Sequence, residues 1–448
     1  MKPDLSTEFI GIHSPNPFWL ASAPPTDRAV NVQRAFKAGW GGVVWKTLGI
    51  DPPVVNVNGP RYGFWQGDNH RVQGFSNIEL ISDRSILVNL SEIAEIKAQW
   101  PDRAVVVSVM FPLEESVWAE WLPRIEATGA DGIELNLGCP HGMSERGMGS
   151  AMGQAPELVE MVTHLAKSHT RLPVMVKLTP NVTDITWSAA AAQAGGADAV
   201  SLINTINSVI GVDLEQMAPM PVIDGKGTHS GYCGPASKPI ALHMVAEIAR
   251  NHQLRSMPIS GIGGVTNWRD AAEFMALGSA NIQVCTAAMV YGFRIIEDLV
   301  GGMQTWMSEQ GYTRLEDFIG RAVPNISDWS NLNLNFVTKA KINADSCIGC
   351  GRCHIACEDT SHQAIGHISG SSKYMVRTED CVGCNLCVAI CPVPDCISME
   401  PMKSGIDPRT GTPIAATSMN WTQHPKNAIN LSAAVMGEHA GEDNVIAD

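Results

Sequence analysis

Short apolar runs and amphipathic stretches alternate along the first three hundred or so residues. The runs are Phe18–Ser22, Gly42–Thr47, Ala104–Met110, Gly132–Leu137, Val174–Thr179, Ala199–Thr205, Pro258–Gly263 and Asn281–Thr286. Each is brief and rich in Val, Ile or Leu, as a strand buried on both faces should be. Between most of them lie Ala-rich segments of helical periodicity, such as Glu157–Lys167 and Trp268–Leu277. One junction recurs: Ala38-Gly39-Trp40-Gly41-Gly42, Thr128-Gly129-Ala130-Asp131-Gly132, Ala194-Gly195-Gly196-Ala197-Asp198 and Leu277-Gly278-Ser279-Ala280-Asn281 all precede an apolar run. A glycine that ends a helix in the left-handed conformation explains each. Eight alternations predict an α/β fold, a (β/α)8 TIM barrel over residues 1–313. An open doubly wound sheet competes, but no G-x-G-x-x-G follows an early strand.

Composition narrows the class. The chain has 448 residues, and its apolar fraction of 45% against 17% charged suits a folded protein with a sizeable core. Lys plus Arg is 31 and Asp plus Glu is 45, so the net charge is 31 − 45 = −14. A chain this acidic, without a basic block, is not expected to bind nucleic acid. Its first residues carry acids where a signal peptide needs bases, and no apolar run has membrane-spanning length. The expectation is a cytoplasmic protein with no membrane partner.

Eight of twelve cysteines fall in two runs, Cys347, Cys350, Cys353, Cys357 and Cys381, Cys384, Cys387, Cys391. Both have the spacing C-x2-C-x2-C-x3-C, the two-cluster ferredoxin pattern in which the fourth Cys of each run ligates the other cluster. Three closely spaced thiolates cap three irons of one cubane from a tight loop, and the fourth enters a helix and faces the neighbouring cluster. This predicts one [4Fe-4S] cluster on Cys347, Cys350, Cys353 and Cys391, and a second on Cys381, Cys384, Cys387 and Cys357. Disulfides fit a cytosolic chain poorly, and zinc sites use cysteine pairs with longer spacers. Cys357 precedes Glu358 rather than Pro, which removes no ligand, and Cys396 reads as a packed core thiol. A 2x[4Fe-4S] ferredoxin-like domain is expected over 342–401, after a connector at 314–341 and before an extended tail at 402–448.

Barrel chemistry sits where strands end. The ends here include Ser22, Lys46-Thr47, Asn136, Lys177-Leu178-Thr179, Asn204-Thr205, Gly263-Gly264 and Cys285-Thr286. Packing gives a strand no reason to finish in Lys or Asn. Loops after strands seven and eight are the usual phosphate site of this fold, and Gly263-Gly264 stands there. A phosphate site beside iron–sulfur clusters suggests FMN, which converts one-electron relay into hydride chemistry. Lys46 and Lys177 are both candidates to stabilise the negative charge of reduced flavin near N1–C2. Asn77, Asn136 and Asn204 offer amides that pair with the alternating N–H and C=O groups of a pyrimidine. Each also reads as a turn cap. Cys139 opens a loop with four glycines by Gly153, which suits a mobile lid with a thiol proton donor at its hinge. An inert buried thiol is its alternative reading, and His141 is a second candidate acid. Cys285 reads as packed rather than reactive.

Several stretches resemble the dihydropyrimidine dehydrogenases: Gly42-Val43-Val44-Trp45-Lys46-Thr47, Phe75-Ser76-Asn77-Ile78-Glu79-Leu80-Ile81-Ser82, Glu134-Leu135-Asn136-Leu137-Gly138-Cys139-Pro140-His141-Gly142, and Lys177-Leu178-Thr179-Pro180-Asn181-Val182-Thr183-Asp184 with Asn204-Thr205. Size and layout are similar to the catalytic subunit of the bacterial NAD-dependent form, and dihydroorotate dehydrogenases share the barrel more distantly. The resemblance implies FMN contacts at Ala21, Ser22, Lys46, Thr47, Asn136, Lys177, Gly234, Gly263, Gly264, Cys285 and Thr286. It implies pyrimidine contacts at Asn77, Asn136, Asn204 and Thr205, and Cys139 as general acid. The implied reaction reduces uracil or thymine to the 5,6-dihydro form, with hydride passing to C6 and Cys139 protonating C5. The implied electron source is a separate FAD- and NADH-binding flavoprotein subunit in a heterotetramer. Gly138 departs from the serine the family commonly has there. Oxidation of a related ring such as dihydroorotate, and a non-catalytic electron carrier, are the alternatives.

Overall fold

The computed structural model describes residues 2–67, 70–140, 142–332, 336–360, 362–402, 406–407 and 412–413. His141, and nearly all of the tail expected at 402–448, lie outside the described residues. By its internal contacts the chain divides into Met1–Ile326 and Ser327–Asp448.

In the first unit eight parallel strands close a barrel. They are β1 (Phe18–Leu20), β2 (Gly42–Leu48), β3 (Ala104–Val109), β4 (Gly132–Asn136), β5 (Val174–Lys177), β6 (Ala199–Leu202), β7 (Ile259–Ile262) and β8 (Ser279–Val284). Each pairs with the next, and β8 returns to β1. Eight helices alternate with them: α1 (Ala29–Ala38), α2 (Ile86–Gln99), α3 (Glu115–Glu126), α4 (Pro156–Ser168), α5 (Ile185–Ala194), α6 (Lys238–Arg250), α7 (Trp268–Ala276) and α8 (Ile295–Gln310). All eight predicted runs overlap barrel strands. The junction residues Gly39, Gly129, Gly196 and Gly278 have φ of 114°, 80°, 89° and 108°, where a side chain would be strained.

Strand periodicity explains what the barrel contains. Inward positions repeat every second residue. Toward the N-terminal ends they are apolar: Val44, Val106, Met175 and Ala199 pack with Trp19 and with Phe9 and Ile12 of an N-terminal hairpin. One step further along the same faces stand Lys46, Ser108, Lys177 and Ser201. The barrel is thus an apolar plug below and a polar, buried layer above.

A four-stranded antiparallel sheet, in the order Ile206–Ser208, Ser230–Cys233, Val72–Asn77, Tyr62–Gln66, accompanies the barrel. Nothing in the sequence reading anticipated it. The first unit also extends past the expected boundary at 313. Leu315 and Phe318 are buried in the barrel's main apolar core, so the start of the expected connector is part of this unit.

Among its described residues the second unit contains two short helices, α9 (Arg352–Glu358) and α10 (Leu386–Ile390), and three antiparallel strand pairs, the last being Ile406–Asp407 with Thr412–Pro413. β9 (Thr338–Ile342) pairs with β10 (Ile397–Pro401), and Ile365–His367 pairs with Tyr374–Val376. The sheet therefore begins ahead of the expected start at 342. The two halves repeat a backbone device. Gly349 and Gly383, each just before the second Cys of its run, have φ of 72° and 74°.

Candidate functional site

A cavity of about 1130 Å³, counting its open mouth, lies over the C-terminal ends of the barrel strands. Its wall includes Ala21, Ser22, Lys46, Thr47, Asn77, Asn136, Cys139, Lys177, Asn204, Thr205, Gly234, Gly263, Gly264, Cys285 and Thr286. All of these residues were proposed from sequence and reach this one space.

The two lysines differ in their surroundings. Lys46 Nζ donates to Glu79 Oε1 at 2.6 Å and lies 3.9 Å from Asp27 Oδ2. Arg61 Nη1 reaches the same Glu79 oxygen at 3.3 Å, and the Tyr62 hydroxyl donates to Glu79 Oε2. Burial and the Glu79 charge hold the Tyr62 hydroxyl protonated, well above the usual phenol range. Burial likewise raises the Asp27 carboxyl, despite the opposing pull of Lys46. Lys177 is only 4% exposed, yet its ammonium makes no hydrogen bond among the described residues. Its nearest acid is Glu134, with Nζ 3.8 Å from Oε1. A buried ammonium lining a cavity without an acceptor fits a ligand that carries one.

The asparagines form a chain. Asn136 Nδ2 donates to Thr47 Oγ1 at 2.9 Å, and its Oδ1 accepts from Asn204 Nδ2 at 2.9 Å and from the Gly138 amide at 3.2 Å. Asn204 Oδ1 accepts from the Thr205 amide at 2.8 Å. Asn77, on the added sheet, donates to the Gly231 carbonyl at 3.2 Å. Gly138 permits close approach: a Cβ there would lie 2.3 Å from Asn204 Cβ.

Cys139 is buried against Ile81, Met110 and Met143. Its carbonyl accepts from the Ser150 amide at 3.0 Å and from Ser144 Oγ at 2.7 Å. The expected lid begins here as a 3-10 turn, Ser144–Arg146, and a short helix, Ser150–Gly153. Two further thiols face the cavity. Burial pushes Cys233 up to about 11 and Cys285 up to about 12, so both stay neutral at physiological pH.

The far wall suits a phosphate. Gly234, Gly263 and Gly264 all have positive φ, and a Cβ at Gly264 would lie 2.8 Å from the Lys238 amide nitrogen. Backbone here approaches backbone with no side chain intervening, as a phosphate cradle requires. Together with the ammonium of Lys177, this wall fits FMN.

In the second unit the cysteines sort into two small cavities. One is rimmed by Cys347, Cys350, Cys353 and Cys391, with Cys396 beside them. The other is rimmed by Cys357, Cys381, Cys384 and Cys387. Each run of three meets the fourth cysteine of the other run. Among the described residues no three His, Cys, Asp or Glu side chains converge tightly enough for a single ion. Thiolates spread around a cavity fit a cluster, whose irons stand apart, better than one zinc.

Sequence reasoning passed over Glu79, Tyr62 and Glu134. Glu134 had a legible signal: an acid at the inward phase of Gly132-Ile133-Glu134-Leu135-Asn136, two residues before a predicted site residue. Glu79 and Tyr62 had none, because the added sheet that carries Tyr62 was itself unseen.

A family model described as dihydroorotate dehydrogenase matches residues 4–307, and one described as 4Fe-4S dicluster domain matches residues 340–399. The chain is 40% identical over 365 residues to "NAD-dependent dihydropyrimidine dehydrogenase subunit PreA" of Escherichia coli (strain K12), covering 82% of this chain and 88% of that one. It is 38% identical over 340 residues to "Dihydropyrimidine dehydrogenase (NADP(+)), chloroplastic" of Arabidopsis thaliana, covering 74% and 80%. Among solved structures, a dihydroorotate dehydrogenase of Eimeria tenella in complex with ferulenol superposes with a TM-score of 0.57 at 18% identity, over 71% of this chain and 89% of that one. That last likeness speaks for the fold alone.

Proposed function

Because the chain belongs to the dihydroorotate dehydrogenase family, we propose that it reduces the 5,6 double bond of uracil or thymine. It is an oxidoreductase of the dihydropyrimidine dehydrogenase kind, with FMN and two [4Fe-4S] clusters as cofactors. The observation that carries the substrate class is the set of amides Asn77, Asn136 and Asn204 on the wall that also holds Lys177 and Cys139. Amides read a neutral ring of alternating donors and acceptors without burying a net charge. Dihydroorotate oxidation is the second reading, since the family model bears that name. The dicluster domain favours the first, because it provides a one-electron route to a nicotinamide-oxidising partner.

Bound FMN supplies hydride at one face of the ring. The chain's residues do the remainder. Lys177 offers positive charge to the flavin's N1–C2 edge. Lys46 does not serve there, because Glu79 already takes its ammonium. Asn77, Asn136, Asn204 and Thr205 orient the pyrimidine edge. Cys139 Sγ delivers the proton to C5. The segment 142–153 folds beside Cys139 and keeps water from it. The electron donor is an FAD- and NADH-binding flavoprotein subunit, and the compartment is the cytoplasm, where such thiols stay reduced.

A panel of uracil, thymine, orotate and dihydroorotate, run with a chemical reductant or oxidant, tests the reading. Conversion of uracil or thymine, with orotate and dihydroorotate inert, is expected. Turnover of dihydroorotate alone would replace the first reading by the second.

A further inference from the structure

Glu134 is an acid that the barrel's packing does not ask for. The layer beneath it is apolar, with Val44, Val106 and Met175. Its side chain has no accessible surface. Oε2 accepts from Ser201 Oγ at 2.9 Å and from Gln283 Nε2 at 3.1 Å. Gln283 Nε2 also meets Ser260 Oγ at 3.1 Å. Oε1 has no hydrogen-bond partner among the described residues and faces only the Lys177 ammonium, at 3.8 Å. Neutral donors therefore fix the carboxyl from one side, while its open oxygen meets the lysine that lines the cavity. Burying such a group is costly unless compensating contacts offset it.

We propose that Glu134 is a positioning residue that sets the reduction potential of the bound FMN, by anchoring Lys177 from below and offsetting part of its charge. The proposal rests on the FMN site described above. Reduced flavin carries negative charge at its N1–C2 edge, which Lys177 stabilises. A carboxylate behind the ammonium weakens that stabilisation in a medium where charges are poorly screened. Removing the acid's charge leaves the lysine's field unopposed, so the flavin becomes easier to reduce.

The test is a dye-coupled redox titration of the holoenzyme, followed in the flavin's visible band, with FMN content measured on the same samples. Glu134→Gln keeps the shape and an acceptor for Ser201 but removes the charge. It is expected to keep FMN and to shift the two-electron equilibrium about tenfold toward the reduced form, about 30 mV upward. Glu134→Asp draws the charge back from Lys177 and is expected to move the midpoint the same way by less. An unchanged midpoint in whichever of the two folds with FMN bound overturns the proposal. Ser201→Ala removes a hydrogen bond to the same carboxyl and leaves its charge. A shift there equal to that of Glu134→Gln would also overturn it, since packing rather than charge would then set the potential. Wild-type chain that binds no FMN would defeat the flavin reading itself, a separate and earlier failure.

Discussion

Cys139 and Gly138 are neighbours with different duties. The thiol lines the cavity from a buried position, between the last strand residues of β4 and the segment that folds over it. As the general acid proposed above, it would act at the proton transfer rather than in binding, so its removal should spare binding. Cys139→Ala is expected to keep FMN and both clusters and to lower uracil turnover by about 10²- to 10⁴-fold. Rapid-quench assay of the variant checks this, and full activity would remove Cys139 from the mechanism. Gly138 acts through space rather than through backbone freedom. A Cβ there would lie 2.3 Å from Asn204 Cβ and 2.5 Å from Asn204 Nδ2. The displaced Asn204 would lose its bond to Asn136 Oδ1. Gly138→Ala is therefore expected to weaken uracil binding by about 1–3 kcal/mol, the cost of leaving a buried amide without its partner. Titration of the flavin spectrum with uracil measures it, and unaltered affinity would show that Asn204 yields at no cost.

At the scale of elements, legibility followed burial. The eight barrel strands were readable because strands covered on both faces are continuous apolar runs, and because a glycine with positive φ precedes four of them. The antiparallel sheet carrying Tyr62 and Asn77 was not. Its strands Val72–Asn77 and Ser230–Cys233 pair Asn77 with Gly231, 154 positions away, and their compositions are mixed. Local pattern carries no record of such a partner. The cysteine loops were legible for the opposite reason, since ligand spacing is a local constraint. Their glycines make that constraint testable. Gly383 has φ of 74°, and a Cβ on it would lie 2.3 Å from the Thr338 carbonyl oxygen. Gly370 has φ of 73° with nothing within 4 Å. Gly383→Ala thus adds a collision to the left-handed strain of roughly 1–2 kcal/mol that Gly370→Ala also bears. Iron content is expected to fall by about half in the first variant and to hold in the second. Equal iron in both would mean that the loop around Cys381 and Cys384 relaxes without losing its cluster.

For the whole molecule, two kinds of electron chemistry share one chain. The barrel unit has the cavity proposed to receive a pyrimidine, and the second unit has nine cysteines, eight of them in the two runs, and no comparable cavity among its described residues. If the second unit only relays electrons, damage to it should be bypassed by supplying electrons straight to the flavin. Cys384 is the residue to test, because it is exposed and rims the second cavity without packing the core. Cys384→Ala is expected to lose about half the iron and to retain FMN. It should still convert uracil when a small chemical reductant reduces the flavin directly. It should fail when electrons come from NADH through a flavoprotein partner. Loss of both activities in a folded, FMN-replete variant would make the cluster part of the pyrimidine chemistry itself. Retention of both would mean that electrons enter the barrel unit without passing that cluster, and the division of labour between the two units would have to be redrawn.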